Sequence, residues 1–226
     1  MTTTWNLDPT SLSLLVALLY ILIFGGLSLL RREGLSVQFA LESIGLTALL
    51  MGGSWLLGIP LGPVALLLIL YVVTMRSRLL VDLANLLAQR DRYAPAFRIY
   101  DIALKSWPDT ASRLIILANR GAAVLRSGDH ESAIATLEDV LNGRGRVHLG
   151  RKYEAATRYN LAVAYDRAGQ PAKATQLFNQ VPDLLPGSLY ARAAEIALKR
   201  RREQAAGAAA APEAESPSED AGQPLP

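Results

Sequence analysis

Apolar positions follow two different rhythms along this chain, and the change falls near residue 76. Residues 11–30 carry no charge and show no amphipathic period. At ~1.5 Å per residue such a stretch is about 30 Å long as a helix, which matches the hydrocarbon thickness of a bilayer. The pattern predicts a spanning helix rather than a buried core helix. Asp8 is placed to cap its first amides, and Pro9 suits its first turn. Residues 43–75 form a second uncharged run, about 50 Å long if it were one helix, so it has to break. The segment Gly58-Ile59-Pro60-Leu61-Gly62-Pro63 supplies the break, because Pro interrupts the helical ladder and Gly tolerates a reversed backbone. The expected spans are 11–30, 35–57 and 60–76, within a membrane anchor of residues 1–76. A shallow re-entrant hairpin in place of the last two spans stays open, and either arrangement returns the chain to one side.

Past residue 76 the pattern becomes a recurring set of small, aromatic and aliphatic positions. The clearest copy runs Tyr159-Asn160-Leu161-Ala162, Tyr165, Gly169, Ala174, Phe178, Val181, Pro186. A second copy places Gly121, Val124, Gly128-Asp129, Ala133, Leu137 and Val140-Leu141 at the same offsets, with Arg120 where Leu is usual. The earliest has Leu80, Leu83, Ala84 and Leu87, then Ala96, Tyr100, Ala103-Leu104 and Pro108, with Asp91 at the turn position. Residues 143–150 are an insertion between copies. These offsets resemble the tetratricopeptide repeat, in which small residues let two antiparallel helices approach and larger ones fill the seam to the next pair. The resemblance implies an all-α chain in which the transmembrane helices precede a short α-solenoid of about three helix pairs. The repeat region is expected over 77–203, with pairs at 77–108, 114–147 and 155–186 and a capping helix at 188–202. It also implies a concave face, lined by the first helix of each pair, that holds a partner's extended peptide or helix. Carried over by offset, the groove candidates are Asp82, Asn85, Asn119, Arg126, Tyr159, Asn160 and Arg167. Three are Asn, whose amide both donates to and accepts from a peptide backbone. Val81, Ala156 and Asn160 stand where the family's carboxylate-clamping members carry basic residues.

Charge refines this division. Residues 76–204 hold 21 Lys/Arg against 13 Asp/Glu, a formal +8 hidden within the chain's net +3. Residues 204–226 are Ala/Pro-rich and acidic through Glu213, Glu215, Glu219 and Asp220, and are expected to be disordered. Arg31 and Arg32 follow the first span, Arg76 and Arg78 follow the last, and residues 1–10 have no Lys or Arg. That asymmetry predicts an outside N-terminus and a cytoplasmic repeat region, in a plasma or bacterial inner membrane. Gln38 and Glu42 sit at the cytoplasmic end of the second span. Glu42 reads either as a side chain reaching the interface, as a proton or ion site, or as a polar contact to a partner's helix.

Candidate chemistry is sparse. Cysteine is absent, His130 and His148 lack metal-ligand spacing, and neither a nucleophile elbow nor a phosphate-cradling loop is present. No enzyme, cofactor or metal is expected. The basic stretch 144–152 lacks interleaved stacking aromatics, which disfavours nucleic acid and leaves an exposed loop with some attraction for anionic lipid. The expected function is a membrane-tethered adaptor that binds a protein partner. The alternative is a subunit or assembly factor of an integral membrane complex, bound through the transmembrane helices.

Overall fold

The computed structural model describes residues 8–30, 37–143 and 149–210. Arg31, Arg32, the basic run 144–148 with His148, and the acidic tail from 211 lie outside the described residues. Within the described residues the chain is all helical, with no strand.

Three apolar helices come first: α1 (Pro9–Leu30), α2 (Val37–Leu57) and α3 (Pro63–Thr74). Asp8 opens α1 as its composition suggests, its carboxylate accepting from the Ser11 amide at 3.0 Å. The three helices meet along a thin seam of Ala17, Tyr20, Leu66 and Leu70. Thr74 spends its only hydroxyl hydrogen on the Leu70 carbonyl at 2.7 Å, so the 2.6 Å contact with Tyr20 is donated by the tyrosine. Most other large apolar side chains point outward, among them Leu18, Leu22, Leu49, Trp55 and Val64. That is the inverse of a water-soluble bundle, whose helices turn one stripe inward.

The turn between α2 and α3 is built from the expected breakers. Gly58 takes φ +64°, and Ser54 Oγ donates to the Ile59 carbonyl at 2.6 Å while accepting from the Leu61 amide at 3.2 Å. Ser13 of α1 donates to the Leu61 carbonyl at 3.0 Å. Side chains thus satisfy backbone groups that lipid could not. Two helices, α1 and α2, are long and apolar enough to cross a membrane. With 12 residues, α3 reaches only about 18 Å. The expected third arm over 60–76 is therefore shorter as a helix, and the chain bends by 68° at Met75 into the next one.

Seven helices follow: α4 (Arg76–Gln89), α5 (Tyr93–Lys105), α6 (Thr110–Ser127), α7 (His130–Gly143), α8 (Arg151–Arg167), α9 (Pro171–Leu184) and α10 (Leu189–Ala210). They form three antiparallel pairs and a final helix stacked on the last pair. Each pair closes through one left-handed residue: Asp91 (φ 57°), Gly128 (φ 96°) and Gly169 (φ 72°). Asp is among the few side chains that tolerate this conformation, and Tyr93 Oη donates to its carboxylate at 2.8 Å. Asp109, Asp129 and Ser188 cap α6, α7 and α10 by accepting the amide three residues on.

Small residues occupy the crossings. Ala84, Ala96, Ala123, Ala133, Ala162 and Ala174 are fully buried, and Tyr100, Leu137 and Phe178 fill the spaces between pairs. A close crossing lies at Gly121, where an added Cβ would stand 2.7 Å from Leu137 Cδ2. Arg120, in place of the usual Leu, lays its guanidinium 5.9 Å from the Phe97 ring centre and 3.6 Å from Asp101. The last helix runs past the expected limit of 202 to Ala210, because Gln204, Ala205, Ala206 and Ala208–Ala210 are strong helix formers.

Candidate functional site

The first helix of each pair turns one face toward a common concavity of about 500 Å³. On α4 the lining includes Ser77, Val81 and the polar row Arg78, Asp82, Asn85 and Gln89, the row spaced by four, three and four. On α6 the row Ser112, Ile115, Asn119, Ala122 and Arg126 repeats this alternation, flanked by Ile116, Ala118 and Leu125. Lys152, Tyr153, Ala156 and Asn160 continue the surface on α8, and Tyr190 of α10 closes one end. Spacings of three and four select a single helical face, so three such faces in register make a trough.

The groove floor is an amide ladder. Tyr100 donates to Asn85 Oδ1 at 2.5 Å, Asn85 Nδ2 donates to Asn119 Oδ1 at 3.0 Å, and Asn119 Nδ2 donates to the Ile115 carbonyl at 2.8 Å. Among the described residues, each of the two amides leaves one N–H unspent. Burial pushes the Tyr100 hydroxyl up to about 12, and that hydroxyl donates to Asn85. Asn160 also lines the groove, with no side-chain hydrogen bond to another described residue. Arg78, Arg126 and Lys152 contribute three cations to this surface against the single carboxylate of Asp82.

Five of the seven expected residues, Asp82, Asn85, Asn119, Arg126 and Asn160, therefore share the concavity. Tyr159 does not. Its ring packs 5.8 Å from Phe178 and 5.9 Å from Tyr190, between α8, α9 and α10. Asn160, about 100° further round α8, lines the trough while Tyr159 fills the seam. Arg167 lies two turns beyond Asn160, at the exposed end of α8 and outside the lining. Sequence reasoning missed Arg78, Gln89 and Lys152. Extending the three-and-four spacing from Asp82 and Asn85 in both directions would have found the first two.

A second polar cluster joins the apolar helices to the first pair. Arg76, the first residue of α4, holds Glu42 of α2 through both guanidinium ends, at 2.5 and 2.8 Å. Its Nε donates to the Ser106 carbonyl at 2.9 Å. Gln38 Nε2 reaches both Glu42 at 2.8 Å and the Trp107 carbonyl at 2.7 Å. The expected polar contact to a partner's helix is instead made within the chain, because Arg76 of α4 stands beside Glu42 and takes up its carboxylate. A bidentate Arg–carboxylate pair fixes orientation as well as distance. Among the described residues, no cluster of three His, Asp or Glu is arranged to hold a metal ion.

Two family models, each described as tetratricopeptide repeat, match residues 75–146 and 124–209. No curated protein and no solved structure matches the chain. The matched residues coincide with the paired helices and with the groove they line, and such repeats are protein-interaction modules that generally bind protein partners. Through residues 75–209 the chain belongs to the tetratricopeptide repeat family.

Proposed function

We propose that this protein is a membrane-tethered adaptor whose groove holds an extended, acidic segment of a partner protein at the cytoplasmic face. The observation that carries the reading is the composition of the trough: spare amide donors along its floor, with Arg78, Arg126 and Lys152 along its sides. Amides bind the backbone of an extended peptide whatever its sequence, whereas the cations select carboxylate side chains and speed their approach. The outward apolar surface of α1 and α2 supports tethering. Arg76 and Arg78 directly after α3 support a cytoplasmic groove.

The test is binding of acidic, neutral and basic extended peptides to the full chain in detergent, followed by fluorescence anisotropy. Acidic peptides bind most tightly, and affinity falls as salt rises. Asn160→Ala weakens binding roughly fivefold, the equivalent of one hydrogen bond of about 1 kcal/mol, with unchanged helicity. Arg126→Glu with Lys152→Glu weakens it further and reverses the preference. Equal binding of all three peptide classes, or no effect of either variant, rejects this use of the groove. If the only partner captured from membranes is retained by residues 1–76 alone, binding through the apolar helices is the correct reading instead.

A further inference from the structure

Trp107 lies in the turn between α5 and α6 and is 85% exposed. Its φ of 51° is a left-handed conformation that bulky side chains seldom adopt. Something fixes it there: its carbonyl accepts from Gln38 Nε2 at 2.7 Å and from Arg76 Nη2 at 3.4 Å. Gln38 is the second residue of α2, one of the two helices long and apolar enough to cross a membrane. The turn is therefore pinned level with the polar end of a span.

At the far end of the same helix stands a second exposed indole, Trp55, at 83%. From Gln38 to Trp55 the helix axis advances about 26 Å at 1.5 Å per residue, close to the ~30 Å hydrocarbon layer. Between them Leu41, Ile44 and Leu49 face outward. Indoles concentrate at both membrane–water boundaries because an apolar body and a polar N–H suit that zone. A single exposed aromatic means little. Here two of them bracket one apolar helix at a bilayer's spacing, and one is carried by a different part of the chain and tied to that level.

We propose that Trp107 seats in the headgroup layer of the bilayer that α2 crosses, so that the α5–α6 turn rests the first repeat pair on the membrane surface. This rests on the membrane-tethered reading. It adds a contact to that reading: the repeat region touches lipid directly, with Gln38, Glu42 and Arg76 setting the depth of the contact.

The test uses full-length chains with one tryptophan each. In the first, Trp5→Phe and Trp55→Phe leave Trp107; in the second, Trp5→Phe and Trp107→Phe leave Trp55. Each is reconstituted into phosphatidylcholine–phosphatidylglycerol vesicles whose acyl chains carry bromine either near the headgroup or near the chain end. Shallow bromine quenches roughly half of the Trp107 emission and deep bromine much less, as expected of an indole at the interface. In the Trp107-only chain, Gln38→Ala with Glu42→Gln reduces this quenching. If Trp55 is quenched while Trp107 emits as in water and is unaffected by either lipid, the proposal is overturned and the membrane reading stands. If neither indole is quenched, the membrane reading fails and the proposal falls with it.

Discussion

Gly121 offers the sharpest test of why the helix pairs stack as they do. An alanine Cβ there would lie 2.7 Å from Leu137 Cδ2, 2.9 Å from Leu137 Cγ and 3.4 Å from Thr136 Cγ2. Leu137 is fully buried, so it cannot swing away into solvent. Two terms oppose each other. Alanine in a helix interior gains about 1 kcal/mol over glycine, whereas forcing a methyl group into a packed interior costs about 1–3 kcal/mol. Because both Cγ and Cδ2 of Leu137 are in the way, the steric term wins, and Gly121→Ala destabilises the α6–α7 pair by about 1–2 kcal/mol. Hydrogen exchange of α6 and α7 amides in the full chain reads this directly, as opening roughly 5–30-fold more frequent. Leu137→Ala alone costs about 2–5 kcal/mol. Combined with Gly121→Ala it costs less than the sum, by at least about 1 kcal/mol, because the cavity admits the new methyl. Gly207 of α10 has nothing within 4 Å of its would-be Cβ and serves as the control, where alanine slows exchange. Slower exchange in Gly121→Ala, or strict additivity with Leu137→Ala, would refute the claim that this crossing requires glycine.

Two further outcomes follow from single residues. Asp91 holds φ 57° at a position where the other pairs have Gly, so Asp91→Gly raises the unfolding free energy by up to about 1 kcal/mol and Asp91→Val lowers it by about 1–2 kcal/mol, both read from denaturant melts. Tyr100 and Tyr165 are each pushed up to about 12 in the folded chain, Tyr100 by burial and Tyr165 by burial and its hydrogen bond to Glu138. The unfolded chain, with ordinary tyrosines near 10, releases these protons first, so stability holds below pH 10 and falls as pH rises toward 12. Urea melts across that window show a shallower fall for Tyr100→Phe and a shallower one again when Tyr165→Phe is added; an unchanged slope contradicts the assignment.

Much of the fold is legible along the chain because its causes are local. A turn residue that accepts positive φ, a small side chain at a crossing and an aromatic four positions on are constraints within one helix pair, and they repeat. The departures are visible as residue identities, and the structure supplies their outcomes: Asp91 at a Gly position keeps the Gly conformation, and Arg120 at a Leu position lies over the Phe97 ring. What could not be read is whatever depends on the rotation of one helix against another. Asn85 and Asn119 stand at equivalent places in successive pairs and spend part of their hydrogen bonding on each other. Tyr159 differs from Asn160 by one position, and that step turns it from the trough into the seam. The pairing of Glu42 with Arg76 joins segments 34 residues apart with no repeat pattern to suggest it.

Met75 alone separates α3 from the helix that forms one wall of the groove. A binding domain on a slack leash sweeps a hemisphere and meets ligands at any height and heading, diluted over that volume. A one-residue joint and the Arg76–Glu42 pair restrict that sweep. On the proposed membrane-tethered reading, the trough is offered at one elevation and one compass bearing, so a partner whose matching segment lies close to its own membrane exit meets it readily. One whose segment sits far out on a stiff stalk passes overhead.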